Sequence, residues 1–419
     1  MRLHLLSAPA LIPLCVFALA ACGGGEASGT GGSTSSPTTS SSSSTSTSSS
    51  SGSGGSTSSS SSGTMPTCEL QPPAAYDGTS YDTNAASEVA IATAFNALLK
   101  PMKDAEANLT VKPTAAELTA LYEAGTPSVE SLTTSYYDAR IVTLFGVFEA
   151  TAGNTWTPAD PPPATGGKFG NYIFSASGTD LRQSIEKGLF NAAFYNHALT
   201  LVGGTVDAKA LDRLLAIYGA HPSFPGTSDA AQSTTPDKFM AQYAERRSPK
   251  DANDASKPAD PTKPGPYFRI KASFIKAQAA IAKGPDCAAE RDAAVAAILA
   301  EWERTNFATV IYYLNDAAVK LTKEPPTDAD LSNGLHGYGE AVAFVHGFRG
   351  LPADKRTITD AQIDEILTLL GAPHDAAATS YKLVTDGAAE VPKLQQAITK
   401  IATIHGFAAA DVETFKTNY

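Results

Sequence analysis

The stretch from about residue 286 to 322 limits the fold of this chain more than any other, because Val295, Leu299, Trp302, Val310, Tyr313, Ala317 and Leu321 recur along it on one helical stripe. A helix of that length with a single apolar face has to bury the face against other elements. The rest of the sequence offers helices for the purpose and no convincing run of alternating strands. Segment 84–109 carries Val89, Ala92, Phe95, Leu98, Leu99 and Met102 at helical spacing, with Pro101 as an expected kink. Segment 114–124 opens on Thr114 with Glu117 three residues later, the pattern of a capping box. Further helices are expected over 131–150, 180–201, 207–219, 236–247, 267–283, 327–349, 359–370 and 390–405, with Gly371 and Gly406 as stops for the last two. The Pro-rich stretch 248–266 reads as a loop. The expected fold class is all-α, one or two antiparallel bundles spanning residues 67–419.

The first 66 residues belong to something else. Met1-Arg2 is followed by a mostly apolar run to Ala21, and Leu19-Ala20-Ala21-Cys22 looks like a bacterial lipobox. The expectation is a signal over 1–21, lipid on Cys22, and a cell-envelope location, with the outer membrane favoured because Gly23 and not Asp follows the cysteine. Residues 23–66 are almost all Ser, Thr and Gly, so they have nothing apolar to bury and are expected to form a disordered linker. At roughly 5–6 Å times the square root of the residue number, such a tether reaches a few tens of ångström. Once Cys15 leaves with the signal and Cys22 takes lipid, Cys68 and Cys287 remain of the four cysteines, and in an oxidising compartment they are expected to pair. The formal net charge of −11 argues against a nucleic-acid partner. The membrane is expected to be met through the lipid on Cys22.

Two helices carry polar groups on faces that should be core. In 327–349, His336 and Glu340 stand four residues apart and meet on one face, among Gly334, Gly337, Gly339 and Gly347. Each interior glycine costs about 1 kcal/mol against alanine, so tight packing on several sides must hold this helix together. The pair is either a ligand set for a metal ion or a mutually satisfied hydrogen-bonded pair. In 180–201, Glu186 and His197 share a stripe with Phe190 and Ala193. They lie about 16 Å apart along a straight helix axis, so at most one of them can join His336 and Glu340. Imidazole with carboxylate suits iron or zinc, and copper is possible. Asn306 is expected to fix helix register, Asp212 and Arg213 to make surface contacts, and His374 and His405 to lie on the surface or in loops. No HExxH, GxSxG or Walker A motif is present, so no catalytic residues are assigned and the chain is not expected to be an enzyme.

The order of these motifs resembles the domain-of-unknown-function 4856 family of bacterial envelope lipoproteins. The resemblance rests on Gln183 to Phe190 followed by Ala193-Phe194-Tyr195, on Trp302-Glu303 leading to Ile311 through Asn315, on Gly334 through Phe344, and on Ile363 through Gly371. That family is distantly similar to the imelysin-like group, which includes periplasmic iron-uptake components and was once described as peptidases. The resemblance implies an imelysin-like helical fold, a role in iron uptake and an outer-membrane uptake receptor as a partner. A metallopeptidase or a purely structural lipoprotein are the alternatives. The group's Gly-x-His-x-x-Glu motif keeps its Gly334-x-His336, whereas the glutamate comes one residue later, at Glu340.

Overall fold

The computed structural model describes residues 68–419. The signal over 1–21, Cys22 and the Ser/Thr/Gly-rich segment through 66 lie outside the described residues. The described part is all-α apart from one small hairpin, Gly167–Phe169 paired antiparallel with Tyr172–Phe174, which are the only strands among the described residues. Among the described residues no helix is long and apolar enough to cross a membrane.

Among the described residues, thirteen α-helices of six residues or more carry the description: α1 (Ala86–Ala107), α2 (Ala115–Tyr122), α3 (Ser135–Thr151), α4 (Leu181–Leu189), α5 (Asn196–Leu201), α6 (Ala208–Tyr218), α7 (Phe239–Arg246), α8 (Pro266–Lys283), α9 (Ala288–Leu321), α10 (Asp328–Phe348), α11 (Asp360–Leu369), α12 (Gly387–His405) and α13 (Ala409–Phe415). At 34 residues, α9 is the spine, about 51 Å long at 1.5 Å per residue. Its apolar stripe is covered by α8, α10 and α12, with α7 and α13 adding to the cover. Trp302, Phe307, Val310 and Leu314 are buried there, as the periodicity requires.

Local chemistry sets the ends. Thr114 and Glu117 form the capping box of α2, and Thr327 with Asp330 forms that of α10. Gly219 and Gly406 close α6 and α12 in the left-handed conformation. Pro101 is carried inside α1 and Pro392 inside α12.

The expected continuous helix over 180–201 is not continuous. After Leu189 the chain takes a π-helical turn from Phe190 to Tyr195 before resuming as α5. Asn191 within it donates to Asn306 Oδ1 (2.7 Å) and to the Phe344 carbonyl (3.0 Å), tying three helices together at one buried point. The wider turn changes the register of everything after it, so Glu186 and His197 do not share a stripe.

α10 lies between α9 and α4. Its glycines let the backbones close in. A Cβ on Gly339 would stand 2.6 Å from Asp180 Cβ, and one on Gly347 would run into the Gly188 carbonyl of α4. Cys68 and Cys287 are disulfide-bonded, with Cα atoms 5.1 Å apart, linking the start of the described chain to the junction of α8 and α9.

Candidate functional site

The close approach of α4 and α10 at Gly339 places Asp180, the N-cap of α4, directly against His336. Asp180 is fully buried and uses both oxygens: Oδ1 accepts from the Gln183 backbone N–H (2.9 Å), and Oδ2 accepts from His336 Nδ1 (2.7 Å). Tyr172 from the hairpin stacks on the imidazole at 3.6 Å between centroids and 7° between planes, and its hydroxyl donates to Asn333 Oδ1 (2.9 Å). The ring is therefore clamped in position by a carboxylate on its edge and a phenol on its face. Its side chain is 17% exposed, whereas that of Glu340 is 8% exposed, so both point into the protein.

The other ring nitrogen, Nε2, lies 3.8 Å from Glu340 Oε1. Because Nδ1 donates to Asp180, a neutral imidazole presents a lone pair at Nε2, and that lone pair would face a carboxylate oxygen. The arrangement is satisfied either by a second proton on the ring or by a cation between the two atoms. Two donors on one ion, each about 2.0–2.2 Å from it, stand about 3–4 Å apart, which accommodates the observed separation.

Around this pair is a buried ionic cluster. Arg182 Nε donates to Glu106 Oε2 (2.5 Å) and Nη1 donates to Glu186 Oε2 (2.6 Å). Lys187 Nζ donates to Glu186 Oε1 (2.6 Å), sits 3.8 Å from Glu340 Oε1 and lies over the rings of Phe190 and Tyr243. With its side-chain amide oriented to satisfy its neighbours, Gln183 donates to Glu340 Oε1 (3.2 Å) and accepts from Arg182. Four carboxylates, Glu106, Asp180, Glu186 and Glu340, thus face two permanent cations, Arg182 and Lys187. Burial pushes Glu106 up to about 7, against the pull of Arg182 and with help from Asp180. Burial would raise Glu186 too, but Lys187 and Arg182 together outweigh it and hold the group down to about 2. Glu106 Oε1 and Glu340 Oε2 are buried without a hydrogen bond of good geometry among the described residues, with the Tyr313 hydroxyl the nearby group that feels the Glu340 charge.

The four residues expected to bind metal are therefore divided. His336 and Glu340 converge as expected. Glu186 is adjacent, but both its oxygens are consumed by Arg182 and Lys187, so it is a counter-ion and not a free ligand. His197 is elsewhere: its Nε2 bonds to Glu88 Oε1 (2.9 Å), which also takes Arg213 Nη2 (2.7 Å). The π turn is the reason, since it swings α5 away from α4 and towards α1 and α6.

Other expectations also change. Asp212 is buried, accepting from the Tyr76 hydroxyl and Asn84 Nδ2 (both 2.7 Å), and Arg213 reaches fully buried Glu88, so neither makes the expected surface contacts. His405 is buried against Phe307 (4.4 Å between centroids) and is not a surface residue. Asn306 does fix register, through Asn191.

Among the described residues, one group of three His, Cys, Asp or Glu brings a ligand atom from each within 4.8 Å of the others: Cys68, Cys287 and Glu290. Both sulfurs of that group are spent in the disulfide. No trio drawn from Glu106, Asp180, His336 and Glu340 is as tight. Sequence reasoning missed Asp180, Glu106, Arg182 and Tyr172. The i,i+4 spacing of Arg182 and Glu186 was a readable signal for one pair, but Tyr172 comes from a hairpin too short to show alternation.

Fold and site together define a class: an all-α domain with a buried, carboxylate-rich ionic cluster centred on a clamped histidine. The chain matches no protein-family model, no curated protein and no solved structure.

Proposed function

We propose that this chain is a cell-envelope lipoprotein, anchored through Cys22, with an imelysin-like helical domain that holds a metal cation between His336 and Glu340 in the course of iron uptake. The observation that carries the reading is the geometry at His336: Nδ1 is committed to Asp180, Nε2 faces Glu340 Oε1 at 3.8 Å, and Glu340 Oε2 is buried without a hydrogen bond of good geometry. A cation answers the last two, and the first leaves Nε2 free to meet it. Asp180 then does what outer partners of metal-bound histidines do, fixing the tautomer and the ring. With only two protein donors at hand, iron would bring most of its other ligands with it, which favours a chelated ion over a bare one and suits delivery to or from an uptake receptor.

Lys187 supports a second reading. A fully paired ammonium 3.8 Å from Glu340 Oε1 is what a purely structural network would contain, with His336 doubly protonated and no metal. Elemental analysis of the isolated protein, with calorimetric titration of ferric citrate, Zn(II) and Cu(II), separates the two. The metal reading expects saturable binding that falls at least tenfold in His336→Ala and in Glu340→Ala. A metal-free protein that binds none of the three, or binding unchanged in the double variant, selects the structural reading.

A further inference from the structure

A cavity of about 180 Å³ lies between α3, the segment leading into α4, the Tyr338 to Val342 stretch of α10 and the loop around Ala372–Ser380. Arg140 of α3 lines it. Arg182, Arg213, Arg349 and Arg356 each hold a carboxylate. Among the described residues Arg140 has no such partner, and its Nε is buried without any hydrogen bond. A guanidinium presents five donors in a planar fork, and leaving a buried one such as Nε unanswered is costly. The walls fall into two kinds. Leu144, Val147, Leu181 and Val342 are apolar. Ser175, Ser177 and Thr179 form a string of hydroxyls (2.9 Å and 3.4 Å between neighbours) whose protons can turn towards a guest.

We propose that this cavity binds a small organic monocarboxylate, its carboxylate held by Arg140 and the serine and threonine hydroxyls and its short hydrocarbon chain lying against Leu144, Val147 and Val342. The volume is below the range of drug-sized ligand sites, so the guest is short. A single cation matches a single negative charge. The buried Asp180 carboxylate, which also lines the cavity, has its oxygens engaged by the Gln183 N–H and His336; its charge works against any anion, and about twice as strongly against a dianion such as phosphate. The inference does not rest on the metal reading, since it uses neither His336 nor Glu340 as a ligand, although Asp180 borders both sites.

Calorimetry of the purified protein with sodium butyrate, and separately with sodium phosphate and sodium sulfate at constant ionic strength, tests it. Saturable butyrate binding is expected, at least tenfold weaker in Arg140→Gln. Arg140→Lys should also weaken it, because lysine keeps the charge and loses the fork. Ala378→Phe, which fills the cavity and leaves Arg140 in place, should abolish binding and decides the matter if Arg140→Gln does not fold. Absence of saturable butyrate binding, equal binding in Arg140→Gln or Ala378→Phe, or tighter binding of phosphate or sulfate than of butyrate would each overturn the proposal.

Discussion

His405 is buried, stacked on Phe307 and Phe407, with Nε2 bonded to nothing among the described residues. Burial and the nearby Arg304 push its imidazole down to about 3. The unfolded chain takes up a proton at this residue below about 6.5, and the folded chain does not until about 3, so stability is lost as pH falls through that window. His405→Phe removes the liability and keeps the stacking. Urea midpoints at pH 7.5 and pH 5 should therefore show a smaller acid penalty in the variant, by about 2 kcal/mol at 1.4 kcal/mol per pH unit. Equal penalties in both proteins would show that the imidazole is not kept neutral. His346, also buried, is driven down for the same reason, with Arg140 adding repulsion. At His336 a carboxylate, Asp180, meets one of the ring nitrogens. These three histidines cannot be told apart by spacing along a helix. Their environments come from other helices, which is why the sequence shows a His–Glu pair at 336 and 340 but not the aspartate that orients it.

The helices are legible where local signals decide them. The Thr114 capping box, the glycine stop at 406 and the long stripe of α9 all stand where pattern and cap chemistry put them. Val89, counted in the stripe of α1, faces solvent instead. The π turn at Phe190–Tyr195 was not legible, because every residue in it is an acceptable α-helix former. What selects it is the buried bonding of Asn191 to α9 and α10. The glycines of α10 are the opposite case: the sequence showed that something comes close, without showing what. At Gly339 it is Asp180. Gly339→Ala gains helix propensity worth about 1 kcal/mol but sets a methyl 2.6 Å from Asp180 Cβ, and such overpacking costs about 1–3 kcal/mol. A lower urea midpoint is expected, together with a shifted His336 ring resonance in NMR as its bond to Asp180 is pushed apart. A midpoint at or above wild type with an unchanged resonance would mean that the approach is not tight.

Across the whole described domain, one apolar core surrounds α9, and the charged groups inside it are gathered into separate buried knots: one around His336, another around Glu88. Neither is required by composition, and both link helices far apart in sequence. The disulfide spans 219 residues along the chain. Cys287→Ser should cost about 2–5 kcal/mol, read from denaturant midpoints with the thiols of wild type kept oxidised. A loss under 1 kcal/mol would mean that residues 68–85 are held by packing alone. The position of this crosslink also has a mechanical consequence. Any traction arriving along the backbone ahead of Cys68 passes through sulfur to the root of the longest helix, bypassing the short segment up to Tyr81. The domain would be tugged at its axis and would not be peeled from its edge.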